Sequence, residues 1–232
     1  MKKLLPLSFF IVIIFLAGCA HTNELAKYDL SGKEMLFSNH VSANAGKLQF
    51  VNHTPSKKGK DKNDVISAIA SIGSDILSES SKSKISDAVS TDSIASYVSE
   101  GLKNALITFV KIKPVDSINK NPQFVVETTI EQCQLVVGTD HVSIIVQASS
   151  RIIDRNSGNI VWDDDETETV PIEENYANDK DNSSTLNKVI SAVQLSSLSE
   201  KEIQKVVNEA AKNAGRKIGE TFREDVIKLK NK

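Results

Sequence analysis

The chain has little cysteine, few aromatic residues and no excess of basic residues. Only two of its 232 residues are cysteine, and aromatic residues make up 5% of the sequence. A chain with so few aromatics must build its core mainly from Ile, Val, Leu and Ala. The formal net charge of −2 argues against nucleic acid as a partner, because proteins that bind nucleic acid present a basic surface.

Motifs for metal binding and catalysis are also missing from the sequence. The four histidines, His21, His40, His53 and His141, show no spacing typical of a metal site. No G-x-S-x-G motif, phosphate-binding loop or zinc signature occurs. We therefore expect no metal, no cofactor and no enzymatic activity.

The amino terminus is organised like a bacterial export signal. Lys2 and Lys3 precede the apolar run Leu4–Gly18, which as a helix would be about 22 Å long, too short for a bilayer core of about 30 Å. Leu16-Ala17-Gly18-Cys19 resembles the lipobox of bacterial lipoproteins. The resemblance implies that residues 1–18 are removed and that acyl chains on Cys19 anchor the protein to a membrane. The alternative is an ordinary secretory signal in which Cys19 is incidental.

The resemblance to lipoproteins has consequences for compartment and for thiol chemistry. Ala20 follows the cysteine where enterobacterial inner-membrane lipoproteins carry Asp, which implies the periplasmic face of the outer membrane. With Cys19 occupied by lipid, Cys133 has no partner for an intramolecular disulfide, and we expect it to be a buried strand residue. A catalytic thiol with His141 is the less favoured alternative, since that part of the chain is acidic.

Hydrophobic patterning predicts one domain after the signal peptide. Residues 19–46 show no sustained period and are interpreted as a tether, and residues 47–232 are interpreted as a single periplasmic domain. Helical spacing of apolar residues is present at 66–76, 85–109, 186–193 and 203–222. Ser199 and Glu202 form a capping-box pattern before the last of these helices.

Strand patterns occupy the middle of the chain. A first strand is expected at 47–52 and an edge strand at 110–115, where Pro114 cannot donate to a central ladder. Three further strands, at 124–137, 142–152 and 160–171, are separated by turn sequences and predict an antiparallel meander. The fold class is therefore α/β (α+β), with a mixed, largely antiparallel sheet of about four to five strands and helices packed mainly on one face.

This layout is similar to small periplasmic lipoprotein domains of the curli-secretion, penicillin-binding-protein activator and TolB N-terminal type. The similar stretches are Ala105–Lys113, the strand–turn–strand Arg151–Trp162 and the alanine-rich Ala210–Ile218. The resemblance implies accessory or assembly roles through protein contacts, without catalysis. No long amphipathic hairpin insertion of the kind found in secretion pores is present.

The acidic run that follows Trp162 is the strongest candidate for a site. Asp163 and Asp165 alternate along a predicted strand and would lie on one face, where they could share a Ca²⁺ ion. The favoured interpretation is a solvated acidic strand that resists edge-to-edge aggregation. Trp162 is expected to be a core residue, and if it were exposed it would form a partner surface with Asp163 and Asp165.

The function indicated by these features is that of a lipid-anchored accessory or adaptor protein of the cell envelope. Its expected partners are the membrane, through the lipid anchor, and an unknown envelope protein or further copies of the chain. The alternative is a surface lipoprotein that binds a small ligand or hydrolyses a substrate, which would require a pocket with converging polar groups.

Overall fold

The computed structural model describes residues 21–46, 48–52, 83, 86, 89–137, 142–172 and 199–231. The strands are β1 (Glu34–Val41), β2 (Gln49–Asn52), β3 (Lys113–Val115), β4 (Phe124–Val137), β5 (Val142–Asp154) and β6 (Ile160–Pro171), and the helices are α1 (Thr91–Ala105) and α2 (Glu200–Lys230). The helices expected at 66–76 and 186–193 lie outside the described residues, as do His53 and His141.

The strands form one mixed sheet in the order β3-β1-β4-β5-β6, and β2 also pairs with β4. β1 and β2 run parallel to successive parts of β4, so six strands occupy five positions. β3 pairs in parallel with β1 at one edge of the sheet, where Pro114 costs no ladder hydrogen bond. The longest pairings are the antiparallel ones of β4 with β5 and β5 with β6, which confirms the predicted meander and fold class.

The tether interpretation of residues 19–46 is wrong for residues 21–46. β1 lies inside the sheet between β3 and β4, and Leu25, Leu30 and Met35 are buried in the core. The strand was missed because Ser38, Asn39 and His40 interrupt the apolar alternation. Those polar residues are tolerated because this part of β1 is partly or fully exposed.

Both helices pack on one face of the sheet, as the patterning predicted. α1 lies over β1 and β4, and α2 lies over β5 and β6. The Ser90 side chain caps α1 by accepting a hydrogen bond from the Ser93 amide. The capping box at α2 is confirmed, because Ser199 accepts from the Glu202 amide and the Glu202 carboxylate accepts from the Ser199 amide.

The turn between β5 and β6 determines where Trp162 lies. Asp154 organises the turn by accepting hydrogen bonds from the Asn156 amide and the Ser157 hydroxyl, and Gly158 adopts the positive φ of 73° that favours glycine. Ile153 then pairs with Ile160 while Ile152 pairs with Trp162, so β6 has a bulge at this point. As a result the Trp162 ring is buried under α2.

The two helices cross at glycines. A Cβ atom on Gly101 would lie 2.0 Å from the Gly215 carbonyl oxygen, and one on Gly215 would lie 2.5 Å from the Val98 carbonyl oxygen. Both obstructing atoms belong to the backbone of the other helix, so no rotamer change can relieve the overlap. The small residues on the α2 face therefore set the distance between the two helices.

We expect Gly101→Ala and Gly215→Ala each to lower the free energy of unfolding by about 1–3 kcal/mol, because the helices must separate to admit the methyl group. Urea denaturation followed by circular dichroism measures this loss. Gly46→Ala is the matched control, since its Cβ would lie no closer than 3.8 Å to another atom. Equal stability of the Gly101, Gly215 and Gly46 variants would contradict the close crossing.

Candidate functional site: the β6 edge and the open sheet face

A ladder of polar contacts joins α2 to β6. Side chains four residues apart on α2 face side chains two residues apart on β6, and the pairs are Lys217 with Glu166, Thr221 with Asp164, and Asp225 with Trp162. The two spacings are close, about 6 Å along the helix and about 6.8 Å along the strand. The Lys217 ammonium lies 3.2 Å from Glu166 Oε1 and 2.7 Å from Glu168 Oε2. Hydrogen bonds to Glu168 and then Glu166 raise the pKa of Lys217. Two of the five acidic side chains in the run therefore contact a lysine of the last helix and do not face solvent freely.

Asp225 forms the end of this ladder and is the most connected carboxylate in it. Its Oδ2 atom accepts a hydrogen bond of 3.1 Å from the Trp162 indole and lies 2.6 Å from His21 Nε2. Its Oδ1 atom accepts from Lys228 Nζ at 3.2 Å. Burial by itself would raise the pKa of Asp225, but the hydrogen bonds from Trp162, His21 and Lys228 outweigh burial and lower it.

Residues 22–24 add a short antiparallel segment to the outer edge of β6. Asn23 forms a bridge with Trp162, the Asp163 amide donates to the Thr22 carbonyl at 3.1 Å, and the Glu24 amide donates to the Val161 carbonyl at 2.8 Å. The Thr22 amide donates to Asp163 Oδ1 at 2.6 Å. These bonds fix the start of the described chain on the sheet.

Aromatic packing supports the place where His21, Trp162 and Asp225 meet, here called the junction. The Trp162 ring makes edge-to-face contacts with Phe222, at a centroid distance of 5.2 Å, and with His21, at 5.6 Å. The side chain of Trp162 has no exposed surface, so Trp162 is a core residue, as the sequence analysis expected. The hypothesis that Trp162 forms part of a partner surface is therefore wrong, because the bulge and α2 bury its whole side chain.

Asp164 is the least satisfied member of the ladder. Its Oδ2 atom is buried and has no hydrogen-bond partner among the described residues. Desolvation raises the pKa of Asp164 to about 6, although a hydrogen bond with Thr221 and the proximity of His21 act in the opposite direction. At neutral pH the Asp164 carboxyl is still mostly ionised, in a site that disfavours its negative charge more than water does.

The face of the sheet opposite the helices, here called the open face, presents two kinds of side chain. One row of apolar residues crosses the whole sheet in register. This apolar row consists of Val115, Leu36, Val125, Ile153 and Ile160. Ile160 is 37% exposed and the other four are partly exposed.

Polar rows follow the apolar row on the open face. The row next to the apolar row consists of Ser38, Glu127, Arg151 and Asp163, which are in register. The row after it consists of Thr129, Ser149 and Asp165, which are also in register. Asp163 and Asp165 therefore share this face, as their spacing predicted, and Asp165 is exposed. The described residues contain no group of three or more His, Cys, Asp or Glu side chains that could hold a metal ion.

The thiol of Cys133 lies apart from these surfaces. Cys133 is fully buried in β4, and desolvation raises the pKa of its thiol to about 12. Glu131 accepts a hydrogen bond from the Ser149 hydroxyl on the open face. A groove of about 580 Å³ lies on the outer side of the helix pair, where Tyr97, Lys212 and Arg216 line it.

His21 and Asp225 are the two members of the junction that the sequence analysis did not single out. Asp225 occupies a buried position of α2 between Phe222 and Val226, just beyond the end of the helical pattern predicted at 203–222. A carboxylate at such a position requires a hydrogen-bonding partner. The identity of that partner, 204 residues away in sequence, was not readable from any local pattern.

Comparison with known proteins does not assign this chain to a family. No protein-family model matches it, and no curated protein does. No helix among the described residues is long and apolar enough to cross a membrane.

Several solved structures are similar at low identity. Protein XCC0632 of Xanthomonas campestris, of the family model DUF330, is 7% identical, with 88% of this chain and 90% of that chain covered and a TM-score of 0.41. A PelC dodecamer of Paraburkholderia phytofirmans is 15% identical over 76% and 87% of the two chains, with a TM-score of 0.29. A protein described as a lipoprotein of Caulobacter crescentus is 10% identical over 60% and 85%, with a TM-score of 0.33.

Asp164→Asn is expected to raise the free energy of unfolding at a pH of about 7.5, and the gain should shrink as the pH falls to about 5. The folded-state pKa of about 6 exceeds that of an unfolded aspartate, so the folded protein gains stability relative to the unfolded chain as pH falls through this window. Urea denaturation at both pH values measures the difference.

Asp165→Asn is the control for that experiment, because Asp165 lies on the same strand with an exposed side chain. A gain for Asp164→Asn that is equal at both pH values would show that the Asp164 carboxylate carries no buried charge.

Proposed function

We propose that this chain is a lipid-anchored accessory protein of the bacterial cell envelope that acts through protein contacts and not through catalysis. Cys19 carries the lipid, and the domain lies on the periplasmic side of the outer membrane. The lipobox-like sequence and Ala20 after the cysteine support the anchor and its location. The likeness of Arg151–Trp162 and Ala210–Ile218 to curli-secretion, penicillin-binding-protein activator and TolB N-terminal domains supports a role in assembly, secretion or envelope maintenance.

The observation that carries the protein-contact role is the apolar row on the open face. Five apolar side chains in register, beside the charged residues Arg151, Asp163 and Asp165, combine an apolar strip with a polar rim. Contiguous apolar surface bordered by polar groups is typical of interaction sites. A partner strand or helix laid across the sheet would cover the row, and that partner is another envelope protein or a second copy of this chain.

Photo-crosslinking in cells tests this function. We expect p-benzoylphenylalanine in place of Ile160 to give discrete adducts of higher mass after irradiation, because Ile160 lies at the exposed end of the apolar row. The same group in place of Ile227 is the matched control, since Ile227 is 46% exposed and Ile160 is 37% exposed, but Ile227 lies on α2. Mass spectrometry of the adduct distinguishes an envelope protein from a second copy.

The anchor is tested in the same cells by labelling with radioactive palmitate. The native chain should incorporate label and Cys19→Ser should not, and the Ile160 adduct should be lost in the Cys19→Ser background. Adducts of equal yield at Ile160 and Ile227 would contradict a contact surface on the open face, and equal palmitate in both forms would contradict the anchor.

A further inference from the structure

The proposed lipid attachment site is separated by a single residue from a part of the chain that is fixed on the fold. His21 is held by Asp225 at 2.6 Å. The Thr22 carbonyl accepts a hydrogen bond from the Asp163 amide on β6, and the Thr22 amide donates to the Asp163 carboxylate. Only Ala20 lies between Cys19 and His21. Two peptide units span at most about 7 Å, so a lipid on Cys19 would be attached to backbone within about 7 Å of His21.

This short connection differs from the flexible linker expected from the sequence. A linker of about 25 residues has a root-mean-square length near 30 Å and would let the domain point in any direction. Here β1 and residues 22–24 are part of the fold and therefore do not act as a linker. The orientation of the domain is therefore coupled to the anchor.

We infer that a specific surface of the domain rests on the phospholipid headgroups, and this inference depends on the proposed anchor at Cys19. The surface, here called the anchor rim, consists of His21, Thr22, Glu224 and Lys228. Lys228 contacts Asp225, which in turn contacts His21, and Glu224 precedes Asp225 on α2. The β3 edge of the sheet lies farthest from this rim and projects away from the bilayer.

Charge favours this orientation over one with the open face against the membrane. The open face carries Glu127, Glu131, Asp163 and Asp165 and a single arginine, Arg151. Anionic headgroups repel such a surface and attract lysine side chains. The anchor rim is less acidic, because it sets a single carboxylate, Glu224, beside Lys228, whose side chain is 67% exposed.

Sheet geometry separates the two edges far enough for a measurement. β3 lies four strand positions from β6, which corresponds to about 19 Å at about 4.8 Å per position. Lys113 is an exposed residue of β3, and Glu224 is an exposed residue of the anchor rim. With the rim on the headgroups, Glu224 lies near the bilayer and Lys113 lies far from it.

Fluorescence quenching in vesicles tests the orientation directly. The full-length acylated protein is purified from membranes as Glu224→Cys or Lys113→Cys, labelled with an environment-sensitive maleimide dye, and reconstituted with lipids that carry a headgroup nitroxide. Native Cys133 does not interfere, because it is fully buried. We expect loss of most of the dye fluorescence at position 224 and of little at position 113.

A linker variant serves as the control for the coupling. Ten Gly and Ser residues inserted between Ala20 and His21 add a flexible reach of about 18 Å, and should leave acylation and circular dichroism unchanged while quenching at the two positions becomes equal. Equal quenching at the two positions in the protein without the insertion, with an acylated amino terminus confirmed by mass spectrometry, would overturn the orientation alone. An unmodified amino terminus in that sample would overturn the proposed anchor and this inference together.

Discussion

Asp225 is the residue on which the arrangement of the molecule depends. One buried carboxylate accepts hydrogen bonds from the indole of Trp162 on β6, contacts the imidazole of His21 at the start of the described chain, and receives the ammonium of Lys228 on its own helix. A carboxylate removed from water is stable only when its oxygens are satisfied, so the three groups must meet at one place. The first residues of the domain, its edge strand and its last helix are thereby joined.

This junction connects the fold to its proposed use. Because the chain is fixed at His21, a lipid on Cys19 would be held against one rim of the domain. The β3 edge would then face the periplasm, and the apolar row would run across the open face from the β6 edge towards it, where a protein partner could reach it. The tight crossing at Gly101 and Gly215 holds α1 and α2 together as one layer, so that the open face is supported by a rigid second layer.

Local patterns were sufficient for much of this architecture. Alternation along β5, the turn at Asp154–Asn159 and the Ser199–Glu202 capping box depend on neighbouring residues, and the sequence predicted each of them. β1 was missed because a strand that is polar on its exposed part does not alternate clearly. The acidic run was interpreted as solvated, whereas Lys217 neutralises Glu166 and Glu168 from a helix about 50 residues away. The register between α2 and β6 depends on tertiary packing, and no local signal specifies it.

Hydrogen exchange at two amides tests the central role of Asp225 most directly. The amides of Glu24 and Asp163 donate the backbone bonds between residues 22–24 and β6, and their protection reports whether that segment stays paired. Asp225→Ala should abolish protection at both amides while amides between β4 and β5 remain protected, and Glu224→Ala on the same helix should change neither. Unchanged protection of Glu24 and Asp163 in a folded Asp225→Ala protein would contradict the account.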